Sequence, residues 1–233
     1  MSSEAATFTF AVEEGVAAIP AKDWNSLIGE KDPAFMRHAF LLSLEETDCV
    51  GLESGWIPQI LTVREQGTDA LVGAAAAYIK LHSMGEFVYD WSWADASHRC
   101  GIQYYPKLVV GVPFSPVVGP RLLVAPGLHA SVKRRLQAGM LQALNEVAEH
   151  HECSGVHLLF CTPEERDLAV SLGYAERIGL QFHWYNDHYE DFDAFLARFR
   201  SKRRNQIRRE RRRIQEAGVE VFSVSGQTIE PEH

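Results

Sequence analysis

The 233-residue chain is 46% hydrophobic with a formal net charge of -8 at neutral pH, which fits one soluble core plus an appendage better than two complete domains. No apolar run approaches the ~20 residues that span a bilayer. The start, MSSEAATFTF, lacks the basic and apolar parts of a signal peptide, so a cytoplasmic protein without an integral membrane segment is expected. Cys49, Cys100, Cys153 and Cys161 show no paired spacing, which argues against a disulfide framework and a zinc site. Charge is unevenly spread. Arg198 to Arg213 carries ten Lys or Arg against the single Glu210, and the remainder of the chain is strongly acidic.

Phe8 to Val12 alternates as an opening strand, and Pro20 and Asp32-Pro33 precede two short helices, the second marked by Phe35, Ala39, Leu42 and Glu46. Ile57 to Arg64 and Leu71 to Leu81 read as strands joined by the turn Gln66-Gly67-Thr68-Asp69. The run Ala74 to Ala77 has helical propensity, but its hairpin context favours strand. Gly85 to Trp93 reads as a further strand and Asp95 to Gln103 as a helix.

Tyr104 to Val124 combines an apolar strand, Leu108 to Val112, with a loop fixed by Pro113, Pro116, Gly119 and Pro120, and its two charged residues, Lys107 and Arg121, are cations. Such a rigid loop in an acidic chain can floor an anion site, or it can be a structural turn whose cations face water. Leu128, Val132, Leu136, Met140, Leu144 and Val147 recur at helical spacing up to about His151. Gly155 to Phe160 is a short buried-type strand, Pro163 to Leu172 a helix closed by Gly173, and Tyr174 to Tyr185 a last strand. Asp191 then caps a helix that runs through the basic stretch to Gly218, and Val219 to Val224 begins a new strand. The order predicts an α/β fold with a mixed sheet flanked by helices on both faces, followed by a basic helix.

That order resembles the GNAT superfamily of N-acyltransferases, with Leu172-Gly173-Tyr174 similar to the Leu-Gly-Phe that opens their final strands, which implies a mostly antiparallel sheet. Four strings sharpen the resemblance: Phe87 to Asp95 (FVYDWSWAD), Tyr104 to Leu108 (YYPKL), Val112 to Leu122 (VPFSPVVGPRL) and Arg203 to Arg212 (RRNQIRRERR). Together they are similar to a bacterial family of Fem-type, GNAT-related peptidoglycan biosynthesis or recognition proteins. Fem-type enzymes transfer an aminoacyl group from a charged tRNA to an amine of a cell-wall precursor and contain two GNAT-like halves. The resemblance implies an acyltransferase domain over 1–188, a connecting basic helix over 189–217 and the start of a truncated second half over 218–233.

Amide-forming transfer needs an amine that has lost a proton and donors for the oxyanion, but neither a metal nor a tightly bound cofactor. The resemblance makes acyl-CoA or aminoacyl-tRNA the co-substrate and a small molecule or cell-wall precursor the acceptor. Asp90, Trp93 and Asp95 are the catalytic candidates, since an aspartate beside indoles can have its pKa raised by desolvation. Against this, Asp95 can cap a helix and Trp91 can pack the core. Trp91, Tyr104, Tyr105, Lys107, Phe114 and Arg121 are the substrate-binding candidates, with Lys107 and Arg121 converging on phosphates. The glycine-rich phosphate loop of GNAT domains is degraded here to Arg121-Leu-Leu-Val-Ala-Pro-Gly127. Arg204, Arg208, Arg211 and Arg212 share one flank of the basic helix, which fits tRNA or another polyanion, or a solvated linker. Two alternatives stay open: a non-catalytic module that binds RNA or an anionic precursor, and an acetyl-CoA-dependent N-acetyltransferase.

Overall fold

The computed structural model describes residues 7–232. The chain up to Gly179 forms one compact unit, and from Leu180 onward it forms a second.

A long hairpin organises the first unit. β2 (Trp56–Pro58) and β3 (Ile60–Glu65) rise to the predicted turn, where Gly67 takes φ 92°, and β4 (Leu71–Ala75) and β5 (Ala77–Lys80) return. Each arm is one strand in the sequence reading but is broken once, at Gln59 and at Ala76, so the hairpin contributes to two sheets. One sheet has the order β1-β3-β4-β7, with β1 (Phe8–Glu13) and β7 (Leu123–Val124) outermost. The other has the order β2-β5-β6-β8, with β6 (Lys107–Val110) and β8 (Val156–Leu158). The alanine-rich run is strand because it is paired along its length, Ala75 opposite Leu61 and Ile79 opposite Ile57. β6 and β8 run parallel and the other pairs antiparallel, which gives the mixed, mostly antiparallel α/β architecture that the element order predicts.

Two helical layers cover this scaffold. The helix predicted from Leu128 to His151 is α4 (Ala130–His150), and its stripe of Leu136, Met140, Leu141 and Leu144 is buried against Leu61, Val63, Leu108 and Val110. On the opposite side, α1 (Ala21–Ser26) and α2 (His38–Glu46) bring Trp24 and Leu41 onto Ile60, Ala74, Tyr78 and Val109. Because side chains alternate along a strand, Lys107 lies on the α1–α2 side with Val109, and Lys80 lies there with Tyr78. Helix α5 (Pro163–Ser171) begins with a reciprocal capping box between Thr162 and Glu165 and ends before Gly173 at φ 95°, as its sequence signals dictate.

Three predicted strands are absent. Gly85 to Trp93 is instead a loop leading into α3 (Trp91–Arg99), so that helix starts four residues earlier than its expected cap at Asp95. Tyr174 to Tyr185 joins no strand ladder among the described residues: Tyr174 packs onto the α4 core and its hydroxyl donates to Asn145 at 3.0 Å, while Ile178 and Phe182 are exposed. Alternation marks a segment as able to be a strand but supplies no neighbour, and no strand adds to the outer edge of β8 among the described residues. Val219 to Val224 likewise carries no ladder. In the second unit Asp191 caps α6 (Phe192–Ala197), accepting from the Ala194 amide at 2.7 Å, and the basic run forms α7 (Ser201–Glu216).

Replacing Leu136 or Leu144 with Ala is expected to lower stability by about 2–5 kcal/mol through the cavity left behind, read from urea unfolding. A loss under about 0.5 kcal/mol, the range of neutral surface changes, would contradict the packing.

Candidate functional site

The register of the second sheet creates an electrostatic problem. Lys80 of β5 stands opposite Lys107 of β6, and Trp56 of β2 stands opposite Lys80, so one buried row reads Trp56, Lys80, Lys107. Two ammonium groups side by side away from water need anions close by.

The segment between β5 and α3 supplies them. All three donors of the Lys107 ammonium are used on it: Ser83 Oγ at 2.9 Å, Glu86 Oε2 at 2.8 Å and Asp90 Oδ2 at 2.5 Å. Tyr104 donates to the same Asp90 oxygen at 2.7 Å, and the Tyr105 hydroxyl lies 2.6 Å from Ser83 Oγ. The Lys80 ammonium sits 3.7 Å over the Trp56 ring and donates to the Met84 carbonyl at 3.2 Å.

Backbone geometry lets the acids reach in. Gly85 has φ 81°, and a Cβ there would meet the Phe114 ring at 2.7 Å, so the turn and the close approach both require glycine. Phe87 and Tyr89 also take positive φ, 61° and 49°, a strained conformation for side chains of that size. Asp90 occupies the N-cap position of α3, yet its side chain makes no cap bond and turns to Lys107 instead.

The two acids differ in proton affinity. Burial raises Asp90, but hydrogen bonds from Lys107, Ser83 and Tyr104, together with the Lys107 charge, hold it down at about 2. Glu86 ends above its ordinary value, because burial outweighs the bond from Lys107. Burial takes Lys80 down to about 7, against the opposing pull of Glu86, with Lys107 adding to the drop. His157 of β8, edge-on to Tyr104 at 6.3 Å, is pushed to about 4 by burial and then by Lys107. Three buried side-chain atoms lack a hydrogen-bond partner among the described residues, and all three belong to this site: Trp56 Nε1, Glu86 Oε1 and Asp90 Oδ1.

Of the residues singled out from sequence, Asp90, Tyr104, Tyr105 and Lys107 come together here, and Phe114 borders the site against Trp56 at 5.4 Å. The raised pKa expected for Asp90 falls to Glu86 instead, since Asp90 alone receives the extra donors. Trp91 and Trp93 are not in the core: they are 56% and 60% exposed, with Arg177 over the Trp93 ring at 5.3 Å. Asp95 is no cap; it is exposed on α3 and pairs with Arg99 at 3.3 Å.

Arg121 does not join Lys107. The two share no partner and sit at opposite ends of β6, with the Arg121 guanidinium buried and donating to the carbonyls of Leu159 (2.6 Å), Pro120 (3.3 Å) and Val117. Its backbone amide, with that of Leu122, donates to Glu165. Burial lowers its pKa to about 10, still charged at neutral pH, and its role here is to staple a proline-rich loop. Sequence reasoning missed Trp56, Lys80, Ser83, Glu86 and His157. A lysine closing an otherwise apolar strand was the signal for Lys80; nothing in the local pattern marked Glu86.

In the second unit, Arg208 bonds Asp193 at 2.7 Å and Arg211 stacks over Phe192 at 4.2 Å, so two of the four arginines singled out for a polyanion hold α7 to the start of α6. Arg204 is half-buried on that flank and Arg212 is exposed. At 3.6 residues per turn, Arg209 and Arg213 project from the far side of α7, and both are exposed.

A mixed α/β scaffold with a buried lysine–carboxylate cluster thus defines the chain. It belongs to the FemAB-like family, described as peptidoglycan biosynthesis/recognition, whose model matches residues 15–233. No curated protein matches it. Among solved structures it is similar to the aminoglycoside 6'-N-acetyltransferase AAC(6')-Ih of Acinetobacter baumannii, at 14% identity over 77% of this chain and 99% of that one, TM-score 0.44. It is also similar to AAC(6')-Iy in complex with CoA, at 13% identity over 79% and 99%, TM-score 0.45. A third similarity is to glucosamine-6-phosphate N-acetyltransferase of Arabidopsis thaliana, at 12% identity over 78% and 99%, TM-score 0.39. No helix among the described residues is long and apolar enough to cross a membrane.

The Lys80 assignment has a definite pH sign. Its folded pKa of about 7 lies below the ordinary 10.5, so below pH 7 both states hold the proton and the burial cost is fully present. Between these values the unfolded chain binds more protons, and stability rises with pH. Wild type minus Lys80→Met stability should therefore be flat from about pH 5 to 6 and increase from about pH 7 to 10. A flat or falling difference in the upper range would refute the assignment.

Proposed function

We propose that the chain is the acyltransferase unit of a Fem-type enzyme, moving an acyl or aminoacyl group onto an amine of a cell-envelope precursor. Membership in the FemAB-like family over residues 15–233 carries the reading, because that span includes the whole lysine–carboxylate site. The site's chemistry supports it: an ammonium must lose a proton before it attacks a carbonyl, and Glu86, raised by burial, and Lys80, lowered to about 7, are the groups disposed to accept one. Asp90, locked as an anion, orients Lys107 and Tyr104. The unit extends over about residues 1–188, with the stretch of 189–217, folded as α6 and α7 rather than one continuous helix, as its connector. Acyl-CoA and aminoacyl-tRNA are the two donors to be tested.

Mass spectrometry of amine-bearing muropeptides incubated with acetyl-CoA or aminoacyl-tRNA provides the direct test. Acylated product is expected with one donor, and Glu86→Gln should slow its formation by about 100-fold with the melting temperature kept. Product from neither donor, or an unchanged rate in both Glu86→Gln and Lys80→Met, would sink the reading.

A second reading, binding of RNA or another polyanion without turnover, is favoured by the exposed far side of α7. Replacing Arg209 and Arg213 with Gln should then reduce the slope of log affinity against log salt by about one to two units. An unchanged slope in filter binding would dismiss it.

A further inference from the structure

Helix α3 buries no side chain, although it carries two tryptophans. The segment ahead of it is held mainly by side chains: Lys107 on Ser83, Glu86 and Asp90, Lys80 on the Met84 carbonyl and Arg177 on the Val88 carbonyl at 3.0 Å. One backbone bond, Phe114 amide to Gly85 carbonyl at 3.2 Å, ties it to the central loop. Strained φ values at Phe87 and Tyr89 and the unpaired Glu86 Oε1 and Asp90 Oδ1 all oppose the docked position. Such a segment is a candidate for local opening while the sheets stay intact.

Opening would uncover a floor of Lys80 and Lys107 beside Trp56, whose indole N–H has no acceptor. The floor holds the Lys107 ammonium and Lys80, which an anion placed beside it keeps protonated, and the docked segment presents it with two carboxylates. We propose that residues 83–99 form a flap whose Glu86 and Asp90 occupy, as an internal stand-in, a site for a dianionic phosphate or diphosphate group that binds Lys80, Lys107 and Trp56 when the flap lifts. Exchange of one pair of negative charges for another keeps the buried lysines neutralised throughout. This goes beyond the acyltransferase reading but shares its cleft.

Hydrogen exchange read by mass spectrometry, with inorganic pyrophosphate at low salt as the probe, tests it. Millimolar pyrophosphate should speed exchange across residues 84–99 by about threefold or more while β5 and β6 stay protected, and should raise the melting temperature. Glu86→Gln removes one competing charge but keeps an oxygen for Lys107, so it should bind pyrophosphate about threefold or more tighter than wild type. Asp90→Asn makes the same prediction if Glu86→Gln fails to fold. Lys80→Met should abolish binding, and CoA and UDP as separate arms identify the carrier of the phosphates. Flap amides that exchange as slowly as those of β6 with and without pyrophosphate would overturn the proposal. So would carboxylate variants that bind no tighter than wild type. Pyrophosphate binding needs no acyl donor, so absence of transfer alongside intact binding would count against the acyltransferase reading only.

Discussion

The arrangement around β6 depends on one ammonium group. Lys107 is the first residue of its strand, it is fully buried, and each of its three donors reaches a different residue of the 83–90 segment. Removing that charge would leave two carboxylates facing each other without water, a situation far costlier than the pair is worth when intact. Sheet register sets the need. With Lys80 directly across the ladder, Lys107 alone would raise the local positive charge, and only acids brought from outside the sheet make the row tolerable.

Sharing one lysine, Glu86 and Asp90 still diverge, and the reason is the remaining partners. Tyr104 and Ser83 add donors to Asp90, which stabilise its anion, whereas Glu86 has Lys107 alone against the same kind of burial. Pairs of titratable groups pushed apart by their surroundings are how a site divides acid and base roles between similar side chains. Lys80 adds a third level, since burial, with the Lys107 charge adding to it, brings its pKa to about 7 against the pull of Glu86.

Elements whose stabilising contacts are local or periodic were legible in the sequence. The stripe of α4, the capping box and closing glycine of α5, the hairpin turn at Gly67 and the Asp191 cap each carry their signal within a few residues. Where the deciding partner is distant, reading failed. Glu86-Phe-Val-Tyr-Asp-Trp alternates like a strand, but its two acids are drawn to a lysine 21 and 17 residues away, and the backbone accepts positive φ to deliver them. Asp90 was recognisable as a charge beside indoles and Lys107 as an isolated cation at the start of an apolar strand. Glu86 was not, because its importance exists only once β6 lies beneath it.

Lys107 and Arg121 show how a buried cation that organises structure differs from one that belongs to a site. Both are cations of the same segment, both are buried, and both use several donors. The Arg121 guanidinium donates only to carbonyl oxygens and a methionine sulfur, and the one carboxylate beside it, Glu165, is held by the backbone amides of Arg121 and Leu122. Lys107 meets two carboxylates of unlike proton affinity, one serine and, through them, two phenols, and the unsatisfied atoms of the described chain gather beside it. A network completed by neutral backbone has a single stable arrangement. One built from titratable groups with acceptors to spare retains capacity to bind, to exchange protons and to rearrange, and stability alone would have favoured replacing it with apolar side chains.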